Sequence, residues 1–383
     1  MSQSNLFKPL TLSPSLPPLS HRIALAPLTR YRADDAHVPI VPLVSKYYTQ
    51  RASSIPGTLL VTEATFISPS AGGYANVPGI YTPAQISAWK EIVSSVHSQG
   101  GIIFLQLWSL GRAAHQDEAE KEGFQVHSAS DIPIPESEGG GAVPKPMTID
   151  EIKIRIQEYA TAAKNAVLEA GFDGVEIHGA NGYLVDQFLQ SNSNQRTDSY
   201  GGSVENRSRF ALEVIAAVTE AVGPERTAIR LSPWTTFQGM RMPDPIPQFS
   251  HLVSTIQEKY PNMAYLHFVQ ARVKGNKTAE EEDDESLDFA LKIWKGPVLI
   301  AGNLDASSAK ELVDEHYKER DNLVAVFGRY FISNPDLPFR VREGIPFSPY
   351  DRDTFYTPKS AVGYIDQAFS KEFEKVNGVR AQI

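Results

Sequence analysis

The sequence predicts an α/β fold: a (β/α)8 TIM barrel in a single domain, with a long capping insertion after the third strand. Three observations lead there. Eight short apolar runs alternate with helical stretches along the 383 residues. Those runs lack strict apolar–polar alternation, as parallel strands buried on both faces do. Polar side chains crowd the positions just after the runs, at the strand ends where a barrel keeps its chemistry.

Taken in order, the runs are 22–26 (RIALA), 58–62 (TLLVT), 101–107 (GIIFLQL), 174–177 (GVEI), 228–231 (AIRL), 265–269 (YLHFV), 298–301 (VLIA) and 324–327 (VAVF). A helix is expected over 82–98, with Pro83 in its first turn and Gly100-Gly101 beyond its end. A second is expected over 148–170, where Thr148 and Glu151 have capping-box spacing and Gly171 stops the helix. Others are expected over 204–222, stopping at Gly223-Pro224, and over 307–318. The barrel core spans about 20–345. The stretch 111–147, rich in Pro and Gly, is an insertion or lid over the strands' carboxyl ends, and 346–383 is a C-terminal segment closing the site.

Composition narrows the function classes. Lys and Arg total 36 against 45 Asp and Glu, a formal charge of −9, with six acids in the run 280–285. That balance argues against a nucleic-acid partner, whose affinity comes mostly from phosphate neutralisation. There is no cysteine, hence no disulfide, thiolate metal site or thiol nucleophile. No apolar run has the roughly 18 residues of a membrane helix. The first twenty residues carry four prolines and no apolar core segment, so a cytoplasmic chain without a membrane partner is expected, as monomer or homodimer.

The polar residues following the runs are Thr29 and Arg30, Glu63, Gln106 and Trp108, His178, Asn181 and Tyr183, Arg230, Gln270 and Arg272, Asn303, and Arg329 and Tyr330. They include no lysine placed for a Schiff base and no metal-binding set, so no metal is expected. What remains suits a polarised carbonyl and a flat polar cofactor. The seventh and eighth runs end in Ala301-Gly302-Asn303 and Phe327-Gly328-Arg329, where a barrel's phosphate site lies. Two turn glycines and a surface arginine explain those residues equally well. His178 and Asn181, three apart, converge if a helical turn starts there, while Tyr183 is expected on a different side.

The motifs Ala26-Pro-Leu-Thr-Arg30, Gln106-Leu-Trp-Ser-Leu-Gly-Arg112, Gly174-Val-Glu-Ile-His-Gly-Ala-Asn-Gly-Tyr183, Arg196-Thr-Asp-Ser-Tyr-Gly-Gly-Ser203, Phe327-Gly-Arg-Tyr330 and Asp351-Arg-Asp-Thr-Phe-Tyr356 occur in this order. Together they make the chain resemble the old yellow enzyme family of flavin-dependent ene-reductases, in its fungal and yeast branch, nearly end to end. The resemblance implies noncovalent FMN held by Thr29, Ala64, Gln106 and Arg230, with its phosphate on Gly302, Asn303, Gly328 and Arg329. It implies NADPH as hydride donor, and electron-poor alkenes and phenols as ligands. His178 and Asn181 would grip the substrate carbonyl and Tyr183 would donate the proton. Trp108, Phe237 and Tyr356 would shape the substrate cavity. The chain departs from many members in having Gln270-Ala271-Arg272 where they carry Glu-Pro-Arg. The rivals are a flavin-dependent isomerase on the same fold, a non-flavin phosphate-binding barrel lyase, and a non-catalytic flavin-binding protein.

Overall fold

The structure, a computed structural model, describes residues 4–271, 273–274, 277–278 and 285–378. Arg272 and the acidic run, apart from Glu285, lie outside the described residues. Eight parallel strands close into one barrel: β1 (Ile23–Leu25), β2 (Leu59–Phe66), β3 (Ile102–Trp108), β4 (Gly174–Gly179), β5 (Thr227–Leu231), β6 (Tyr265–Val269), β7 (Val298–Ala301) and β8 (Leu323–Phe327). Each pairs with its neighbours in sequence, and β1 pairs with β8 to close the ring. The expected eight-stranded barrel is therefore found, as one domain. Every strand residue is buried, the reason the runs lack alternation.

The helices α1 (Leu43–Ala52), α2 (Pro83–His97), α3 (Ile149–Lys164), α4 (Val204–Val222), α5 (Pro245–Lys259), α6 (Asp288–Ile293), α7 (Ala306–Glu311) and α8 (Leu337–Glu343) surround the barrel. Reciprocal capping boxes start α2 at Thr82 and Gln85 and α3 at Thr148 and Glu151. The helix expected over 148–170 changes to a π turn over Asn165–Glu169. Likewise α7 runs into a π turn over Leu312–His316. Among the described residues no helix is long and apolar enough to cross a membrane.

The second strand runs four residues beyond its expected end. A register shift between Val61 and Ala64 carries the polar stretch Thr62-Glu63-Ala64-Thr65 into a buried strand. Residues 111–147 hold a short helix, Gln116–Lys121, and a parallel pair of two-residue strands, His127–Ser128 with Lys145–Pro146.

Inside the barrel, Ala24, Leu59, Phe104, Ala228, Tyr265, Leu299 and Val324 fill the lower lumen. Towards the strands' carboxyl ends the lumen turns polar. Gln106 stands opposite Glu176 across β3–β4, His178 opposite Arg230 across β4–β5, and Arg230 opposite His267 across β5–β6. This polar tier is the floor of the site.

Candidate active site

A cavity of about 430 Å³ opens at the carboxyl ends of the strands. Thr29, Ala64, Gln106, Trp108, His178, Asn181, Tyr183, Arg230, Phe237, Gly302, Asn303, Gly328, Arg329 and Tyr356 all line it. The site residues chosen from sequence thus come together in one place.

The β4 loop builds the polar end. His178 is the next-to-last residue of the strand, and the chain then turns through left-handed backbone at Asn181 (φ 57°) and Gly182 (φ 78°). Asn181 N–H donates to Ser232 Oγ at 2.7 Å, and Gly182 N–H donates to the buried Asp186 carboxyl group at 2.9 Å. The next helix starts only at Leu184. The left-handed turn, not a helical one, brings His178 and Asn181 to the same cavity. It also corrects the expected orientation of Tyr183, whose ring packs edge-on to His178 with centroids 4.9 Å apart. Trp108 holds both: it stacks on His178 at 5.9 Å and meets Tyr183 edge-on at 4.7 Å.

Burial, with the charge of Arg230, keeps the His178 imidazole well below its usual pKa, so it is neutral. Its Nδ1 accepts the Ala180 N–H at 3.4 Å, which leaves the proton on Nε2 as a donor. Burial pushes the Tyr183 phenol well above 10, and the phenols of Tyr74, Tyr31 and Tyr356 push it further. Tyr183 therefore keeps its proton throughout the working range.

At the other end the glycines differ. A Cβ on Gly302 would come within 1.9 Å of Gln270 Oε1, so a larger residue there requires the Gln270 side chain to swing away. A Cβ on Gly328 would meet nothing nearer than 3.5 Å, so protein packing alone does not demand glycine there. Arg329 donates to Asn303 Oδ1 and stands over the Tyr350 ring. Three buried polar atoms at or beside the cavity have no protein partner: Nε of Arg230 and Nε1 of Trp108, both on lining residues, and Oε1 of Gln270. Such atoms call for a ligand or water. Among the described residues no three acidic or histidine side chains gather as metal ligands.

Several lining residues escaped the sequence analysis. Tyr74 reaches in from the Gly72-Gly73 loop after β2 and meets Trp108 edge-on at 5.7 Å. Tyr31, itself in left-handed backbone (φ 56°), reaches in as well, and burial raises its phenol to about 12. Conversely, no residue of 111–147 lines the cavity. Its wall comes instead from 27–31, Tyr74, Phe237 and the C-terminal strap carrying Phe355 and Tyr356. Two buried arginines hold that strap. Arg30 donates to the carbonyls of Phe355 and Gly363 at 3.0 and 2.8 Å. Arg32 donates to those of Ser360, Phe355, Val362 and Thr354 at 2.9–3.4 Å.

Residues 5–348 match the model of the NADH:flavin oxidoreductase / NADH oxidase family. The chain is 54% identical to the chanoclavine-I aldehyde reductase fgaOx3 of Penicillium roqueforti (strain FM164), over 93% of this chain and 95% of that protein. It is 51% identical to a Claviceps fusiformis protein named "Probable inactive dehydrogenase easA", over 97% of each. The crystal structure of Old Yellow Enzyme from Pichia sp. AKU4542 superposes with a TM-score of 0.86 at 40% identity, covering 96% of this chain and 94% of that one. A closed barrel, a cavity at its carboxyl ends and likeness over the whole length agree: this chain belongs to the old yellow enzyme family of flavin oxidoreductases, which work with FMN and a nicotinamide hydride donor.

Proposed function

We propose that this chain reduces the activated C=C bond of α,β-unsaturated carbonyl compounds, with NADPH as donor. The observation that carries this reading is the pairing of a neutral His178, presenting an Nε2 donor, with a protonated Tyr183 whose ring centroid lies 4.9 Å away in the same cavity.

The residues present fit FMN. Gln106 and Arg230 offer amide and guanidinium groups to the pyrimidine edge, and the unpartnered Arg230 Nε suits a ligand oxygen. Thr29 and Ala64 line the adjoining wall. Gly302, Asn303, Gly328 and Arg329 would hold the phosphate, where the open space over Gly328 lets an anion approach the backbone. When bound, FMN supplies the hydride that reduces the β-carbon.

The chain's own residues do the rest. His178 Nε2–H and the Asn181 amide donate to the carbonyl oxygen and stabilise the negative charge that develops there. Tyr183 gives its proton to the α-carbon. Its raised pKa keeps it protonated but makes it a weak acid, so it suits protonating a strongly basic enolate carbon. Trp108, Phe237 and Tyr356 surround the alkene and exclude water.

The test is Tyr183→Phe, which keeps the ring and removes the proton. Bleaching of the flavin by NADPH should continue at the parent rate. Reoxidation by an enone should slow by roughly 10²–10⁴, while reoxidation by oxygen persists. Equal slowing of both half-reactions, or of neither, would remove Tyr183 from this role.

A further inference from the structure

One buried carboxylate has no part in the reaction proposed above. Glu176 points into the lumen from the middle of β4 and is fully buried. Its Oε1 accepts the Gln106 side-chain amide at 2.7 Å, and its Oε2 pairs with His267 Nδ1 at 2.8 Å. His267 is itself fully buried, and its Nε2 has no partner. The Arg230 guanidinium also acts on Glu176 electrostatically. Burial alone would raise the carboxyl, yet His267, Arg230 and Gln106 bring it below its ordinary value, so it is ionised. The same burial lowers His267, which is neutral and donates from Nδ1.

Two consequences follow from this geometry. A carboxylate only accepts hydrogen bonds, so the arm of the Gln106 amide facing it must be the NH2 group. The carbonyl arm is left for the cavity that Gln106 lines. Arg230 beside it offers only donors, so the floor presents an acceptor next to a donor, the complement of an imide N–H beside a C=O. Glu176 also cancels the Arg230 charge beneath the ligand, since −1 and +1 share one dry tier and His267 adds none.

We propose that Glu176, backed by His267, is a positioning residue that fixes the orientation of Gln106 and offsets the charge of Arg230, and so sets how strongly the site favours reduced over oxidised FMN. The inference rests on Gln106 and Arg230 facing the pyrimidine edge. Losing the carboxylate charge while Arg230 stays charged favours the more electron-rich reduced form.

The experiment is spectroelectrochemical titration of FMN-loaded variants against a reference dye, with FMN affinity measured alongside. Glu176→Gln should favour reduced FMN about tenfold more than the parent does, a rise of about 30 mV for a two-electron couple. Glu176→Asp keeps the charge and should stay near the parent potential. Because Glu176→Gln leaves Arg230 buried without its counter-charge, the same contrast is drawn in a background that removes both charges together. Adding Glu176→Gln to Arg230→Gln should raise the potential by a similar step over Arg230→Gln alone. Equal potentials with and without the carboxylate in either background, or equal shifts for Gln and Asp, would overturn the proposal. If Arg230→Gln changes neither FMN affinity nor potential, the assignment of Arg230 to the cofactor fails instead.

Discussion

Arg32 is the perturbation with the widest structural consequence. Its side chain is fully buried, lies 4.7 Å from the Tyr364 ring centroid, and donates to four carbonyls of the strap spanning 354–362. Arg32→Met keeps similar bulk and removes every donor. Each bond from a charged donor contributes about 1.5–3 kcal/mol net. The four do not add, because a strap that loses them can peel back and let its carbonyls meet water. Arg30 also keeps its two bonds to the strap. The applicable range is that of removing one partner from a buried charged network, about 3–5 kcal/mol. At 1.4 kcal/mol per tenfold, that raises the population of the peeled strap about 10²–10⁴-fold. Limited trypsinolysis reads it at the exposed Lys359 within the strap and at the exposed Arg352 just before it. KM for the alkene should rise with the loss of the wall formed by Phe355 and Tyr356, while FMN stays bound. Arg32→Lys keeps the charge but not the fork and should fall between. Parent-like cleavage in Arg32→Met would refute the clamp.

Three further outcomes are expected. Burial raises the Asp186 carboxyl to about 7, against bonds from Gln190 and Gly182 and the Arg112 charge that lower it, so the native state holds a proton there that the unfolded chain releases above about pH 4. Stability contributed this way is lost as pH rises from about 4 to about 7, by a few kcal/mol, and Asp186→Asn should flatten that part of the urea-midpoint profile. Gly302→Ala should displace Gln270 and weaken FMN binding by an overpacking cost of about 1–3 kcal/mol, and Gln270→Ala in the same chain should restore it; unchanged FMN affinity would detach Gly302 from the phosphate end. His178→Ala and Asn181→Ala should each weaken a phenolic ligand by about 1.5–3 kcal/mol in a spectral titration, and parent-like affinity in both would place the oxygen grip elsewhere.

The strands were legible because each is an apolar run with turn chemistry at its ends, and the helices because Thr82 and Thr148 carry caps. The end of β2 was not legible: its register shift buries Glu63, Ala64 and Thr65, which lie past the strand end expected at 62. The proposed phosphate end was visible as glycine after a strand. Tyr31 and Tyr74 were invisible because loop geometry, not spacing, brings them to Trp108 and Tyr356. The insertion at 111–147 was expected to cover the site, but Arg112 ties it sideways instead, donating to the carbonyls of Ile132, Pro133 and Gln238. Glu176 carried a signal that could have been used, since an acid inside an apolar run must find buried partners.

The clamp also links the two ends of the chain in time. Arg30 and Arg32 leave the ribosome early, but the carbonyls that satisfy them lie 322–333 positions later. The ring closes only when β8 reaches β1, and the proposed FMN contacts run from Thr29 to Arg329. At about 5–20 residues per second, two arginines destined for the interior wait roughly 16–65 s in water before their acceptors are made. No nascent fragment that stops short of β8 holds the whole cofactor pocket. On these contacts FMN capture waits for β8, the last barrel strand to be made, and cannot be completed on any shorter nascent chain.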